Sequence, residues 1–413
     1  MTFLIVCSLI FQIFFDGLRG QRKGCFRRRR RGHRAWNHCR IDGAGKKFPL
    51  GRSAYQSVAD QILEGAPVEI LFLYDANPVY ETPGGNRFSN ALAKVPLTVS
   101  FSSFMDESAE LADLVLPEPT FLERWGDDHI EGMGYPGISL YQPVIEPLYD
   151  TLNTGDFFLK VAEVVGGTVA KAFPWKTYQE VLQFRLKDIG TTWETFEELG
   201  VWMQPGYRFA KRGSPQWFEV VGRDRLNTPR DGYFDLYSRE LNCYLGRMKK
   251  DELATFGISL EGDGANLPHH EETIYSGDTS EFPLVLNVIT LMSLGPRSEA
   301  ANMPTLQEIS GMTVGETWNS WLEINPESGR KYGLEDKNMV WVESPFGQIR
   351  TRVRFVKGLH PEVVNIPYNQ GHTAVGRFAK GRGVNGLELL NPTSEPLTGL
   401  AAFTNTRVKV RKA

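Results

Sequence analysis

The stretch Val68-Glu-Ile-Leu-Phe-Leu-Tyr-Asp-Ala-Asn-Pro78 decides the fold. Its first seven residues are nearly all apolar and end abruptly at Asp75. A short unbroken apolar run predicts a strand buried on both faces of a parallel sheet, because an antiparallel strand with one wet face would alternate. Working outward, Ala54 to Glu64 has helical spacing at Val58, Ile62 and Leu63, and Gly65-Ala-Pro67 breaks it. Asn86 to Ala93 predicts the next helix, and Leu97 to Ser102 a second buried strand. Glu107 to Ala112 reads as a brief helix and Leu114 to Leu116 as a third strand. This order predicts an α/β layer, doubly wound, with right-handed crossovers. Ligands of such sheets bind beyond the strand C-termini. That edge holds Asn77, Ser102, Ser103, Asp106 and Pro117.

The texture changes after Glu281. Phe282 to Thr290, Trp318 to Ile324, Met339 to Glu343, Ile349 to Val356 and Arg407 to Val410 read as short strands. Asn325-Pro-Glu-Ser328, Ser344-Pro-Phe-Gly347 and Asn391-Pro-Thr-Ser394 are turns between them. Many short strands so punctuated predict a small β-barrel. Residues 166–280 are a connecting region of less regular pattern. Helices are expected over Phe157 to Val165 and Tyr178 to Lys187, and Gly262 to Ser280 reads as a polar surface linker.

The N-terminal segment 1–46 is atypical. Thr2 to Phe15 is mostly apolar, and from there to Gly45 ten Lys/Arg face only Asp16 and Asp42, with Arg27 to Arg31 consecutive. A signal peptide carries its positive charge before the apolar run, and here the order is reversed. The apolar run is also shorter than the ~20 residues of a membrane span. The segment therefore reads as a truncated or frame-shifted start, with an amphipathic anchor as the alternative.

Over the whole chain of 413 residues the net charge is -3, which argues against a general nucleic-acid binder. Cys7, Cys25, Cys39 and Cys243 match no zinc, redox-pair or iron–sulfur spacing. The seven histidines show no metal-ligand spacing, and His269-His270 reads as solvated. No nucleophile–base pair stands out. The acidic group Glu123, Asp127, Asp128 and Glu131, near Arg124 and His129, reads either as a cation site or as a surface loop.

Three blocks resemble the molybdopterin oxidoreductases of the dimethyl-sulfoxide-reductase superfamily, in the C-terminal part of the large subunit. The first is Leu73-Tyr-Asp-Ala-Asn-Pro78. The second runs Val99-Ser-Phe-Ser-Ser-Phe-Met-Asp-Glu-Ser-Ala-Glu-Leu-Ala-Asp-Leu-Val-Leu-Pro117, followed by Phe121-Leu-Glu-Arg-Trp125. The third includes Pro283 to Ser293, Ala301 to Ile309, Glu323-Ile-Asn-Pro326, Gln370-Gly-His372 and Gly383 to Pro392. The details are most similar to the polysulfide, thiosulfate and menaquinone reductase branch.

The resemblance implies an oxidoreductase α/β domain over 47–165 and a dinucleotide-binding double-psi barrel over 281–413. It implies molybdopterin guanine dinucleotide as cofactor, gripped by Asn77, Ser102, Asp106 and Pro117 from the layer and by Thr290, Met292, Gln370, His372 and Asn385 from the barrel. The same residues have plainer roles open to them: Asn77 in a turn, Asp106 as a helix cap, Thr290 and Met292 as core strand positions. The family's iron–sulfur cysteines and metal ligand have no counterpart here, so no cluster and no metal ligand are expected in this chain, and its catalytic residues are not assigned. An iron–sulfur electron-transfer subunit and a quinone-linked membrane subunit are the implied partners, at the periplasmic side of the membrane. A non-catalytic structural subunit and an inactive truncated product are the competing expectations.

Overall fold

The computed structural model describes residues 3–7, 54–84, 86–130, 137–203, 236–245, 258, 262–295, 298–393 and 402–413. They divide into two compact units. One holds 3–7, 54–116 and 271–413. The other holds the described residues from 117 to 270.

In the first unit, β1 (Phe3–Cys7), β2 (Ile70–Tyr74), β3 (Leu97–Ser102) and β4 (Leu114–Pro117) lie side by side in that order. β2 is parallel to both β1 and β3, with Ile70 opposite Phe3 and Leu97. The N-terminal segment thus contributes a strand to the layer, a role its composition does not announce. The helices α1 (Ala54–Leu63) and α3 (Arg87–Leu92) cover the sheet; between them lies one short turn of helix, α2 (Pro78–Glu81). Tyr55, Val58, Ala59 and Ile62 of α1 fall on one helical face and pack with Leu71, Leu73, Phe88, Ala91 and Leu92. Burying each large side chain stabilises by roughly 1.5–3 kcal/mol. The expected helix at Glu107 is a single 3-10 turn, Ala109–Leu111.

The same unit contains the barrel. Its strands are β8 (Leu284–Ile289), β9 (Trp321–Ile324), β10 (Met339–Glu343), β11 (Gln348–Phe355), β12 (Val363–Pro367) and β13 (Arg407–Lys412). They close in the order β10-β11-β9-β12-β8-β13. β8 is parallel to β12, and β9 to β11; β9 and β12 join antiparallel, as do β8 and β13, β10 and β11, and β10 and β13. The two parallel pairs exchange under a two-fold relation about the β9–β12 seam. The core follows from alternation: β11 buries Ile349, Thr351 and Val353 and turns Gln348, Arg350 and Arg352 outward. Leu286, Leu322, Ile324, Val340, Val342, Val364, Ile366 and Val408 fill the interior, and Tyr80 of α2 joins them from the layer.

The second unit holds an antiparallel sheet, β5 (Gly126–Ile130), β6 (Gly137–Tyr141) and β7 (Val201–Met203), in that order. Its helices are α4 (Thr154–Val165), α5 (Gly167–Ala172), α6 (Tyr178–Leu186), α7 (Trp193–Leu199) and α8 (Arg239–Leu245). Ile138, Leu140, Leu182, Leu186 and Phe196 form its core, with Trp125, Trp193 and Trp202 packed around them. Among the described residues no helix is long and apolar enough to cross a membrane. Residues Arg27 to Arg31, Cys25, Cys39 and Glu131 lie outside the described residues.

Candidate cofactor-binding site

Within the first unit, the loops after β2, β3 and β12 converge on a buried polar cluster. Asn77 begins it. Asp75, immediately after β2, has φ +46, so the chain turns sharply there and brings Asn77 inward. The Asn77 amide donates to Glu107 Oε2 at 2.6 Å and to Ser298 Oγ at 3.3 Å. Its Oδ1 accepts from the Ser108 amide at 3.1 Å and from Ser108 Oγ at 2.9 Å. With all these partners the amide's orientation is fixed.

Asp106 and Glu107 stand side by side and are held in opposite states. Asp106 Oδ1 accepts from the Ser108 and Ala109 amides at 3.0 and 2.8 Å, so it caps the 3-10 turn, and Ser102 Oγ lies 3.3 Å from Oδ2. Burial pushes its carboxyl up to about 7 against these bonds, with the Glu107 charge adding to the rise. Burial also acts to raise Glu107, but the hydrogen bond and charge of His372, then the Asn77 amide, outweigh it and hold that carboxyl at about 2. Glu107 further accepts from the Thr373 and Ala374 amides at 2.8 and 3.1 Å. It is the acid that ties the layer to the barrel loop.

His372 Nδ1 faces Glu107 Oε1 at 3.1 Å. An ionised carboxylate only accepts, so Nδ1 carries the proton. The imidazole stacks on Tyr80 at 3.9 Å between centroids, and Tyr80 Oη donates to the Gln370 carbonyl at 2.7 Å. Burial raises the Tyr80 phenol well above its ordinary value, with Glu107 contributing, so it stays a neutral donor. The Gln370 and Gln307 amides bond each other reciprocally at 2.7 and 3.3 Å. Asn385 donates to the Tyr80 carbonyl at 3.2 Å and caps the following turn through the Leu387 amide. Gly371 has φ +83, and a Cβ there would collide with the backbone of Val384 and Asn385, so only glycine fits.

The structure thus gathers Asn77, Ser102, Asp106, Gln370, His372 and Asn385 at one place. Thr290 and Met292 are not core strand positions. β8 ends at Ile289, Thr290 is exposed and Met292 is fully exposed, on the loop beside the cluster through Asn369, whose amide donates to the Leu294 and Gly295 carbonyls. Pro117, the last residue of β4, is exposed and stands at the boundary where the second unit begins; its carbonyl accepts from the Leu152 amide at 3.3 Å. Sequence reasoning missed Glu107, Tyr80, Ser108 and Gln307. In the sequence Glu107 only opens a brief helix, and the contact across 265 residues to His372 gives it its role.

Elsewhere, the described acids near Asp127 have separate partners. Asp127 pairs with Arg185 at 3.2 Å, and Glu123 accepts from the Thr120 and Leu148 amides. Among the described residues no group of three or more His, Cys, Asp or Glu could hold a metal. His269 and His270 are exposed, and Cys243 is an exposed free thiol.

The polar atoms left over in and beside the cluster fit a ligand that carries both hydrogen-bond donors and acceptors. Three buried atoms in or beside the cluster have no hydrogen-bond partner: Ser293 Oγ, Asn369 Oδ1 and His372 Nε2. A buried unpaired polar atom costs about 1–3 kcal/mol, which a ligand with matching groups relieves.

Residues 297–407 match the family model described as the molydopterin dinucleotide binding domain. The chain is 29% identical over 349 residues to the menaquinone reductase, molybdopterin-binding-like subunit, of Nitratidesulfovibrio vulgaris, covering 83% of this chain and 42% of that one. It is 26% identical to the arsenate respiratory reductase molybdopterin-containing subunit of Shewanella sp. (strain ANA-3), covering 84% and 44%. Acetylene hydratase from Pelobacter acetylenicus has the same fold, with a TM-score of 0.64 at 20% identity over 88% of this chain and 46% of that one. The chain spans less than half the length of these relatives. In sequence it is similar to the C-terminal region of molybdopterin oxidoreductases of the dimethyl-sulfoxide-reductase superfamily, and it shares the fold of one solved molybdopterin enzyme.

Proposed function

We infer that this chain is the dinucleotide-holding part of a molybdopterin oxidoreductase subunit in a quinone-linked respiratory complex. The observation that carries the reading is the buried polar cluster of the first unit, most of whose barrel-side members lie inside the matched dinucleotide-binding domain. Asn77, Ser102, Asp106, Gln370, His372 and Asn385 would build the wall against which the cofactor lies, and Thr290 and Met292 would supply an exposed loop over it. When bound, a molybdopterin guanine dinucleotide supplies the redox centre. The protein's part is to hold and orient it and to set the local field. Glu107 keeps the proton on His372 Nδ1, and Tyr80 fixes the plane of the ring. The partners are an iron–sulfur electron-transfer subunit and a membrane subunit exchanging electrons with quinone, on the periplasmic side.

The test is the cofactor content of the purified protein. Oxidised pterin fluorescence together with guanosine monophosphate released by acid hydrolysis is the expected result. Protein carrying neither sinks the reading. Pterin without molybdenum or tungsten would instead favour a non-catalytic subunit of such a complex, a reading that the name "molybdopterin-binding-like" of the 29% identical relative also favours.

A further inference from the structure

The second unit leaves a large apolar surface in water. Phe121, Leu122, Val144, Ile145, Leu148 and Tyr149 are exposed at 42 to 80%. Every residue from Pro143 to Asp150 is exposed, so this stretch buries none of its own apolar side chains. Backbone bonds join the two stretches into one surface. The Val144 and Ile145 amides donate to the Leu122 carbonyl at 2.8 and 3.3 Å, and the Leu148 amide donates to Glu123 Oε1 at 3.1 Å. Glu123 Oε2 takes the Thr120 amide at 2.9 Å, and Pro143 and Pro147 fix their own φ angles. Six such side chains present on the order of 500 Å² of apolar surface, at the upper end of what a monomer leaves to water.

The charge of this surface is one-sided. Pro117 to Asp150 carries seven acids against one arginine and no lysine, and that arginine, Arg124, is taken by Glu118 at 2.8 Å. Glu146 and Asp150 lie inside the exposed stretch. The Leu148 and Thr120 amides hold the Glu123 carboxyl below its ordinary value, so it stays negative. The charge sorts the occupants. A second copy docked face to face would set acids against acids. An anionic bilayer is repelled in the same way. The chain's own basic segment, residues 17–45, has ten Lys/Arg, but its large apolar residues are Leu18, Phe26, Trp36 and Ile41, too far apart to form one face. It supplies charge without the apolar area that the surface needs.

We propose that this surface docks a basic amphipathic helix of a separate polypeptide: the helix's apolar face covers Phe121, Leu148 and Tyr149, and its flanking lysines or arginines meet Glu146 and Asp150. The backbone argues for a helix over an added strand. The amides of Val144, Ile145 and Leu148 are already committed and Pro143 and Pro147 have none, so the stretch offers no continuous edge for strand pairing. A helix brings a backbone that satisfies itself, and its apolar stripe is a recurring partner for such surfaces. Apolar contact supplies the affinity, and the acids select the partner and speed encounter. The area is below the roughly 800 Å² per partner of a standard interface, which suits a contact of peptide size. The surface lies wholly in the second unit, apart from the matched dinucleotide-binding domain, so the inference does not rest on the molybdopterin reading.

Fluorescence anisotropy of the full chain with a labelled peptide tests it. The probe is a synthetic helix with leucines on one face and lysines on the other. It is expected to bind in the micromolar range, at least about tenfold more tightly than a scrambled peptide of the same composition or a peptide of residues 19–40. Leu148→Ser with Tyr149→Ser should weaken the probe at least about tenfold and leave thermal unfolding unchanged, because both side chains are exposed. Glu146→Lys with Asp150→Lys should weaken it about tenfold and flatten its salt dependence. The proposal is overturned if the probe fails to bind at about 100 μM, or if either double variant binds it as the wild type does. Equal binding of the scrambled or the 19–40 peptide also overturns it, because the surface would then read charge alone. So does a dimer in sedimentation that Leu148→Ser with Tyr149→Ser dissolves, or binding of phosphatidylglycerol vesicles that the same variant abolishes. Pterin content should not change in either double variant, so failure of this inference leaves the proposed function standing.

Discussion

Glu107 and Glu118 are both buried glutamates, one in each unit, and they are held by different chemistry. Glu118 takes Arg124 at 2.8 Å and the Thr154 amide and hydroxyl at 2.9 and 2.5 Å. Its unit treats Asp127 the same way, with Arg185. Glu107 has no arginine or lysine partner among the described contacts; an imidazole, a carboxamide and two backbone amides hold it. Guanidinium stays charged at any pH a protein survives, whereas imidazole does not. The arginine pairs of Glu118 and Asp127 are therefore fixed framework, as are those of Glu316 with Arg352 and Arg354 in the first unit, whereas the Glu107 cluster is held without any permanent charge.

Arg124→Ala breaks the framework side of this contrast most severely. Removing one partner of a buried pair leaves an uncompensated charge, so a loss of about 3–5 kcal/mol is expected in denaturant unfolding. A loss under about 1 kcal/mol would mean that Thr154 alone suffices.

Asp106 tests the responsive side next. Its folded value of about 7 lies above the unfolded carboxyl, so the folded state keeps a proton that the unfolded state has lost. Stability should fall by about 4 kcal/mol as pH rises from about 4 to 7. In Asp106→Asn, which keeps a capping oxygen, that slope should vanish; an unchanged slope assigns it to another group.

Glu107 runs the other way. Its folded value of about 2 lies below the unfolded one, so its contribution is complete above about pH 4.5 and lost as pH falls toward 2. The loss should be about 3 kcal/mol, and Glu107→Gln should remove this acid dependence while lowering stability at neutral pH. If Glu107→Gln retained the same acid dependence, the His372 pairing would not be its source.

The smallest expected effects should be equal in the two units, which sharpens the contrast by showing what does not differ. Asn153 caps α4 through the Gly155 amide at 2.7 Å, and Asn325 caps α9 (Pro326–Lys331) through the Glu327 amide at 2.8 Å. Substituting either by alanine should cost about 1 kcal/mol in thermal unfolding.

The sequence made the first unit far more legible than the second, for a physical reason. Where one face of a strand meets a core, alternation or an unbroken apolar run marks it, and Met339 to Glu343 and Leu97 to Ser102 are found with both ends correct. Gly126-Asp-Asp-His-Ile130 carries no such mark, yet it is a strand, because its partner β6 supplies the buried face through Ile138 and Leu140. Val363 to Pro367 escapes notice between Pro361 and Pro367, although it is a stave of the barrel. In the cluster, Asn77, Asp106, Gln370, His372 and Asn385 were legible because each sits at a strand end or in a motif. Glu107 and Tyr80 were not, since their roles come from contacts with residues hundreds of positions away.

Closure of the barrel also governs how the chain is made. β8 is the first barrel strand to leave the ribosome, but its two neighbours are β12 and β13, and Leu284 meets Val408 only near the end of synthesis. Until then an apolar strand, Leu-Val-Leu-Asn-Val-Ile, has both edges open and invites pairing with other chains. Expression yield of this protein should therefore depend on chaperone supply and on translation speed through residues 290–406 more than on the stability of the finished barrel.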